Sequence, residues 1–170
     1  MPDSPRIRTK LPARYGPVMP SERAVRTVAA LLALAGIGVA TYIAVAEGGG
    51  APQCLAGGHG CQVAADSSYS HLAGVNVAVL GIAGYALLLL CALAGGDVPR
   101  VAGMAIAIVG FGYSAYLTYV ELFVIDAICE WCVASGALMT LLLVANLVRA
   151  FGYLGAGLVG AGHDPTAGHA

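Results

Sequence analysis

The chain has 170 residues, 59% of them hydrophobic and only 10% charged, with a formal net charge of −1. A soluble domain carries about 25% charge, so a water-exposed globular fold is excluded, and the charge balance gives no footprint for nucleic acid. The composition is that of an integral membrane protein, and its 24 glycines suit close helix packing.

Residues 1–25 hold Pro2, Pro5, Pro12, Pro17 and Pro20 among basic residues, which predicts a disordered tail. A membrane span needs about 20 apolar helical residues, and charge-free runs of that length recur. The first, 27–46, reads TVAALLALAGIGVATYIAVA. No small-residue cleavage signal follows it, so it reads as a retained helix rather than a signal peptide. An outer loop, 47–72, carries GGGAPQCLAGGHGC and is flexible by composition. Further spans are expected over 73–96, 101–122 and 128–148, and 151–170 reads as a Gly-rich tail. The expected fold is an all-α integral membrane protein. Its domain, 26–150, is a four-transmembrane-helix bundle with an extracytoplasmic cysteine-containing loop.

The basic residues orient the bundle. They are Arg6, Arg8, Lys10, Arg14, Arg23, Arg26, Arg100 and Arg149. With four spans all of them lie on one side, which the positive-inside rule makes cytoplasmic. Both termini are then cytoplasmic, in a multi-pass protein of the cell membrane. Glu47, Asp66, Glu121, Asp126 and Glu130 lie at the other side.

Four of the five cysteines fall on that outer side. Cys54 and Cys61 sit in the glycine-rich loop, and Cys129 and Cys132 form CEWC at the start of the fourth span. Disulfide chemistry persists outside the cytoplasm. The i, i+3 spacing puts both CEWC sulfurs on one helix face, and a helix N-terminus stabilises a thiolate. Asp126 and Glu130 oppose that effect. Three readings fit: thiol–disulfide exchange, structural bridges, and a zinc site, although the loop pair is spaced more widely than zinc ligands usually are. Cys91 lies deep in the second span, near the cytoplasmic end, and reads as a small apolar residue. Tyr113, Tyr116 and Tyr119 read as interfacial anchors. Ser67 and Asn76 have side chains able to hydrogen-bond a carbonyl or to cap the second helix. His59 reads as solvated, and His163 and His169 have no metal-site company.

The sequence resembles the vitamin K epoxide reductase family, specifically its bacterial members. The resemblance runs from GVATYI in the first span through the Cys54–Cys61 loop pair and CQVAADSSYS, with Ser67 six residues after Cys61. It continues through GVNVAVLGIAGYALLLL to AYLTYVELFVIDAICEWC. It implies a thiol:quinone oxidoreductase with catalytic Cys54, Cys61, Cys129 and Cys132. Cys54 would meet a thioredoxin-fold disulfide oxidase outside the cytoplasm, Cys61 would relay to Cys129, and Cys132 would reduce a membrane quinone, menaquinone or ubiquinone. The quinone site would draw on Ser67, Asn76, Tyr116 and Leu117, and no metal is expected. Because the chain ends about twenty residues after the fourth span, the partner is expected to be a separate protein.

Three positions depart from the family pattern. Asn76 stands where many bacterial relatives have proline, Ser68 where arginine is common, and Gly136 where the animal enzymes have a tyrosine. The last weighs against the alternative reading of vitamin K epoxide reduction. A further alternative is a non-enzymatic four-helix membrane protein with structural disulfides. Topology is testable: after reduction, an impermeant thiol reagent outside intact cells should label Cys54 or Cys61, and a cysteine introduced beside Arg100 should be protected. The reverse pattern would place both pairs in a reducing compartment.

Overall fold

A computed structural model describes residues 21–50, 52–55 and 57–161, with the side chains of 152–161 left aside. The expected tail before residue 21, and His163 and His169, lie outside the described residues. Helix α1 spans Glu22–Gly49, α2 Gly60–Asp66, α3 Val77–Leu93, α4 Asp97–Phe123 and α5 Glu130–Ala161. A two-residue hairpin, β1 His71–Leu72 and β2 Val75–Asn76, precedes α3.

Helix α1 begins before the expected residue 27 because Ser21 caps it, accepting the Ala24 N–H at 3.3 Å. It therefore takes up the last residues of the expected tail. The second span is shorter than expected, seventeen residues instead of 73–96. Ala73 (φ 52°) and Gly74 (φ 82°) form a two-residue turn with both φ positive, so 71–76 makes a hairpin instead of a helix. Asn76 then starts α3 by accepting the Ala78 N–H at 2.7 Å. Helix α5 runs on to Ala161, so 151–161 is helical and not the expected tail. Among the described residues three helices are long and apolar enough to cross a membrane: α1, α4, and α5 over Glu130–Phe151. Helix α3 is apolar but shorter; at 1.5 Å per residue it extends about 26 Å, the low end of a spanning length.

The helices pack in a ring, α1 on α3, α3 on α4, α4 on α5 and α5 on α1. Small residues set the spacing. Ala29, Ala33 and Ala40 of α1 and Ala107 of α4 are buried in the core with Tyr85, Leu88, Met139 and Leu142. At one end Arg100 pairs with Glu22 and Asp97, each at 2.8 Å, and Arg26 donates to the Ala92 carbonyl at 2.9 Å. These contacts lock α1, α3 and α4 at the arginine-bearing end. Cys91 belongs to this end; its Cβ lies against Gly103. It is about 21 Å along α3 from Val77.

Tyr85 is the largest buried side chain, 1% exposed, and its hydroxyl donates to the Ser135 carbonyl at 2.8 Å. Its ring lies on Gly36, where a Cβ would overlap ring carbons. At Gly110 a Cβ would meet the thioether end of Met139, at 2.8 Å from Sδ. The ring is rigid and anchored, whereas the methionine can turn away. Gly36→Ala should therefore destabilise the bundle by about 1–3 kcal/mol, the range for overpacking, and Gly110→Ala by less. Thermal unfolding of both variants in detergent checks the order.

Candidate functional site

The site lies at the end of the bundle away from the arginines. Helix α4 stops at Phe123, and the Ala127 N–H returns to the Glu121 carbonyl at 3.0 Å. Asp126 takes a left-handed φ of 48°, a conformation that aspartate tolerates. This turn delivers Cys129 to the start of α5. There the Cys132 N–H donates to Cys129 Sγ at 3.4 Å, and the Cys129 carbonyl accepts the Val133 N–H at 3.0 Å. The cysteine thus holds the position of a helix N-cap, its sulfur accepting where a serine oxygen usually would.

Cys129 is 2% exposed, and Cys129 and Cys132 are both free thiols. The Cys132 thiol, hydrogen-bonded to Cys129 Sγ, holds the Cys129 thiol below its usual range. Burial works against this, and the backbone N–H groups of Cys132 and Trp131 add to it. The acidic group that opposes the lowering is Glu121, not the Asp126 and Glu130 expected from the sequence, and it does not reverse the direction. Glu121, 5% exposed, completes the group, with Oε2 accepting the Cys129 N–H at 3.3 Å. Its carboxylate and the two sulfurs lie within 4.8 Å of one another, close enough to share a metal ion. This is not the four-cysteine set weighed from spacing, because Cys54 and Cys61 are joined to each other.

Cys54 and Cys61 form a disulfide with Cα atoms 5.7 Å apart. The loop around it is more ordered than its glycines imply. Helix α2 carries Cys61, which is 1% exposed, while Cys54 is half-buried. The Cys61 N–H donates to Cys54 Sγ at 3.1 Å. The two residues between the inner cysteines hold the loop: Trp131 Nε1 donates to the Gln53 carbonyl at 3.0 Å, and Glu130 Oε2 accepts the Leu55 N–H at 3.0 Å. Tyr42 of α1 packs on the Trp131 ring at 4.5 Å. Gly60 lies so close to the Ile128 carbonyl that a Cβ would overlap it. The Glu130–Trp131 dipeptide therefore pins the loop pair over the inner pair on both sides of Cys54.

Both pairs open onto one apolar cavity of about 560 Å³ inside the helix ring, through Cys61, Cys129 and Cys132. Ligand pockets for small molecules measure about 300–1,000 Å³. Two of the expected quinone-site residues line it, Ser67 and Leu117, and two do not. The Ser67 hydroxyl already donates to the Ala64 carbonyl at 2.7 Å. Asn76 lies outside the lining: its oxygen caps α3 and its amide donates to Glu47, which does line the cavity. Tyr116 also lies outside, with 49% of its surface exposed, and Tyr113 takes the wall position instead. A helix turns about 100° per residue, so a three-residue repeat walks around the helix. Positions 113, 117, 120 and 121 keep to one face.

Glu121 and Tyr113 were missed as site residues. The signal for Glu121 was its charge at the edge of an otherwise apolar span. The signal for Tyr113 was its four-residue step to Leu117.

An apolar helical bundle with a disulfide and a free dithiol at one end has the make-up of a membrane oxidoreductase working through cysteines. The chain belongs to the vitamin K epoxide reductase family, whose family model matches residues 26–147. It is accordingly a membrane protein of an oxidoreductase family that acts on quinone-type substrates. No curated protein matches it significantly.

The loop clamp is testable. Trp131→Phe removes the hydrogen bond to Gln53 and keeps a ring for Tyr42. One hydrogen bond is worth about 1 kcal/mol, so local opening of 52–61 should rise roughly fivefold. Hydrogen exchange of that segment, and the rate at which a small thiol reduces the Cys54–Cys61 bond, should both report the rise.

Proposed function

We propose that this protein is a quinone-dependent thiol–disulfide oxidoreductase that reoxidises a thioredoxin-fold partner outside the cytoplasm. The observation that carries the reading is the shared cavity: a loop disulfide and a buried dithiol open onto one apolar space large enough for a quinone ring. In this reading α3 is the fourth crossing, and the arginine-bearing end faces the cytoplasm.

The chemistry follows from the placement of each sulfur. Cys54 is the more accessible member of the loop pair, so the partner's thiolate attacks there and breaks the Cys54–Cys61 bond. Attack by the partner's second thiolate on its own sulfur of the mixed disulfide releases the oxidised partner. The reduced Cys61 sulfur, on the cavity side, then attacks a Cys129–Cys132 disulfide. Cys54 closes on Cys61 again, leaving the inner pair reduced. That dithiol passes two electrons to the quinone and returns to the disulfide. The acidified Cys129 suits both the leaving and the attacking role in these steps. Leu117 and Tyr113 wall the ring site.

The test is purified protein assayed for quinone reduction with a reduced thioredoxin-fold partner, with the cysteines removed one at a time. Cys132→Ala should abolish quinone reduction even from small thiols. Cys54→Ala should lose the protein partner and keep activity with small thiols that reach the inner pair. Cys61→Ala leaves no loop disulfide for the partner to attack and should likewise lose turnover with the protein partner. Cys91→Ala, at the far end of α3, should turn over normally. Equal and complete loss in all four would make the cysteines structural.

A further inference from the structure

Glu121 belongs to two recesses at once. On one side it lines the apolar cavity together with Cys129 and Cys132. On the other it lines a shallower recess bounded by His59, Gly60, Val63, Leu122, Asp126 and Ile128. His59, Leu122 and Asp126 are exposed, so that second recess meets the outer water. Among the described residues no lysine or arginine lines either recess. The Glu121 carboxylate is thus a buried, ionisable group set between the outside and the reacting sulfurs, with each sulfur within 4.8 Å.

We propose that Glu121 is a catalytic residue that carries protons between the outer recess and the cavity during quinone reduction. The inference rests on the quinone reading above. Reducing a quinone to a quinol takes two electrons and two protons, and an apolar cavity supplies no protons of its own. The step starts with Cys132 as thiol and with Cys129, whose thiol is held below its usual range, as thiolate. Glu121 takes the Cys132 proton, and the Cys132 sulfur bonds to a ring carbon of the quinone. The Cys129 sulfur then attacks the Cys132 sulfur. The S–S bond forms, the carbon–sulfur bond breaks, and its electron pair stays on the ring. Glu121 delivers its proton to the nearer ring oxygen. The second proton equals the one Cys129 released to the outer water; it returns from the outer recess through the same carboxyl. Dithiol and quinone have become disulfide and quinol, with charge and protons balanced.

A carboxyl in this role also gives the rate a pH dependence of its own. The other titratable groups sharing its two recesses are Cys129 and Cys132 on α5, Asp126 and His59 in the outer recess, and Glu47, Tyr69, Tyr85 and Tyr113 around the cavity. The experiment must separate Glu121 from these, which a substitution does and a pH titration alone does not.

Glu121→Gln keeps the shape and an oxygen for the Cys129 N–H and removes the exchangeable proton. The full-length protein, reduced with dithiothreitol and freed of it, is mixed with a short-chain ubiquinone analogue, and quinol formation is followed in a single turnover. The glutamine variant should be slower by about 10²-fold or more, the usual contribution of a placed acid–base group. Its rate–pH profile should lose one ionisation present in the unmodified protein. Reduction of its inner disulfide by dithiothreitol, read by alkylation and mass, should persist. Glu121→Asp, which keeps a carboxyl, should recover part of the rate together with the lost ionisation; it also serves if the glutamine variant does not fold. A glutamine variant with unaltered rate and pH profile would overturn the proposal, as would an aspartate variant no faster than the glutamine one. If the unmodified protein forms no quinol, the quinone reading itself fails.

Discussion

The start of α5 is the point on which the rest of the outer end depends. There the Cys132 N–H is donated to the Cys129 sulfur, and the Cys129 N–H to Glu121. A helix that begins inside an apolar bundle leaves donors without partners, and each would be costly to bury bare. In this protein the groups that satisfy them are the Cys129 sulfur and the Glu121 carboxylate. Capping the helix and activating the thiol are therefore one arrangement. A smaller or apolar residue at Cys129 would remove the thiol and the cap together.

From that point the site extends in two directions by short contacts. Outward, Glu130 and Trp131 hold the backbone on both sides of Cys54, and Gly60 lets α2 approach Ile128. Inward, Cys132 faces a cavity kept open by the ring of helices. The ring has its own anchors. Tyr85 fixes α3 to α5 through Ser135 and presses on Gly36 of α1, while the arginine cluster ties the opposite end. A rigid scaffold with a pinned loop suits disulfide exchange, since sulfurs must align to react and a loosely held loop would spend most of its time elsewhere.

The cavity is largely apolar, and several of its polar groups are engaged within the protein. Ser67 spends its hydroxyl on the backbone, and Tyr85 and Ser135 bond to each other. Asn76 is engaged in capping and with Glu47. These groups are satisfied within the protein, so they shape the space more than they offer free donors to a guest. Glu121 differs in standing beside both sulfurs and at the edge of the outer recess.

Much was legible in the sequence. Apolar runs too long for a soluble domain announced the membrane helices, because a bilayer demands about 20 such residues per crossing. The CEWC spacing placed two sulfurs on one helix face, because i and i+3 always lie together there. The cysteine pair of the loop and the family followed from residues read in order. The finer placement was not legible. A hairpin replaced the first turn of the second span because Ala73 and Gly74 adopt positive φ, which glycine favours but its presence does not require. Tyr116 and Tyr113 are the same residue type one turn apart, and only the rotation of α4 against α5 decides which meets the cavity. Likewise the sequence set Glu121 at the edge of an apolar run. That this edge folds back over Cys129, so that the carboxylate is buried instead of solvated, depends on the turn at Asp126. Local spacing fixes which face of a helix a residue occupies; what that face meets is decided by packing between segments distant in the chain.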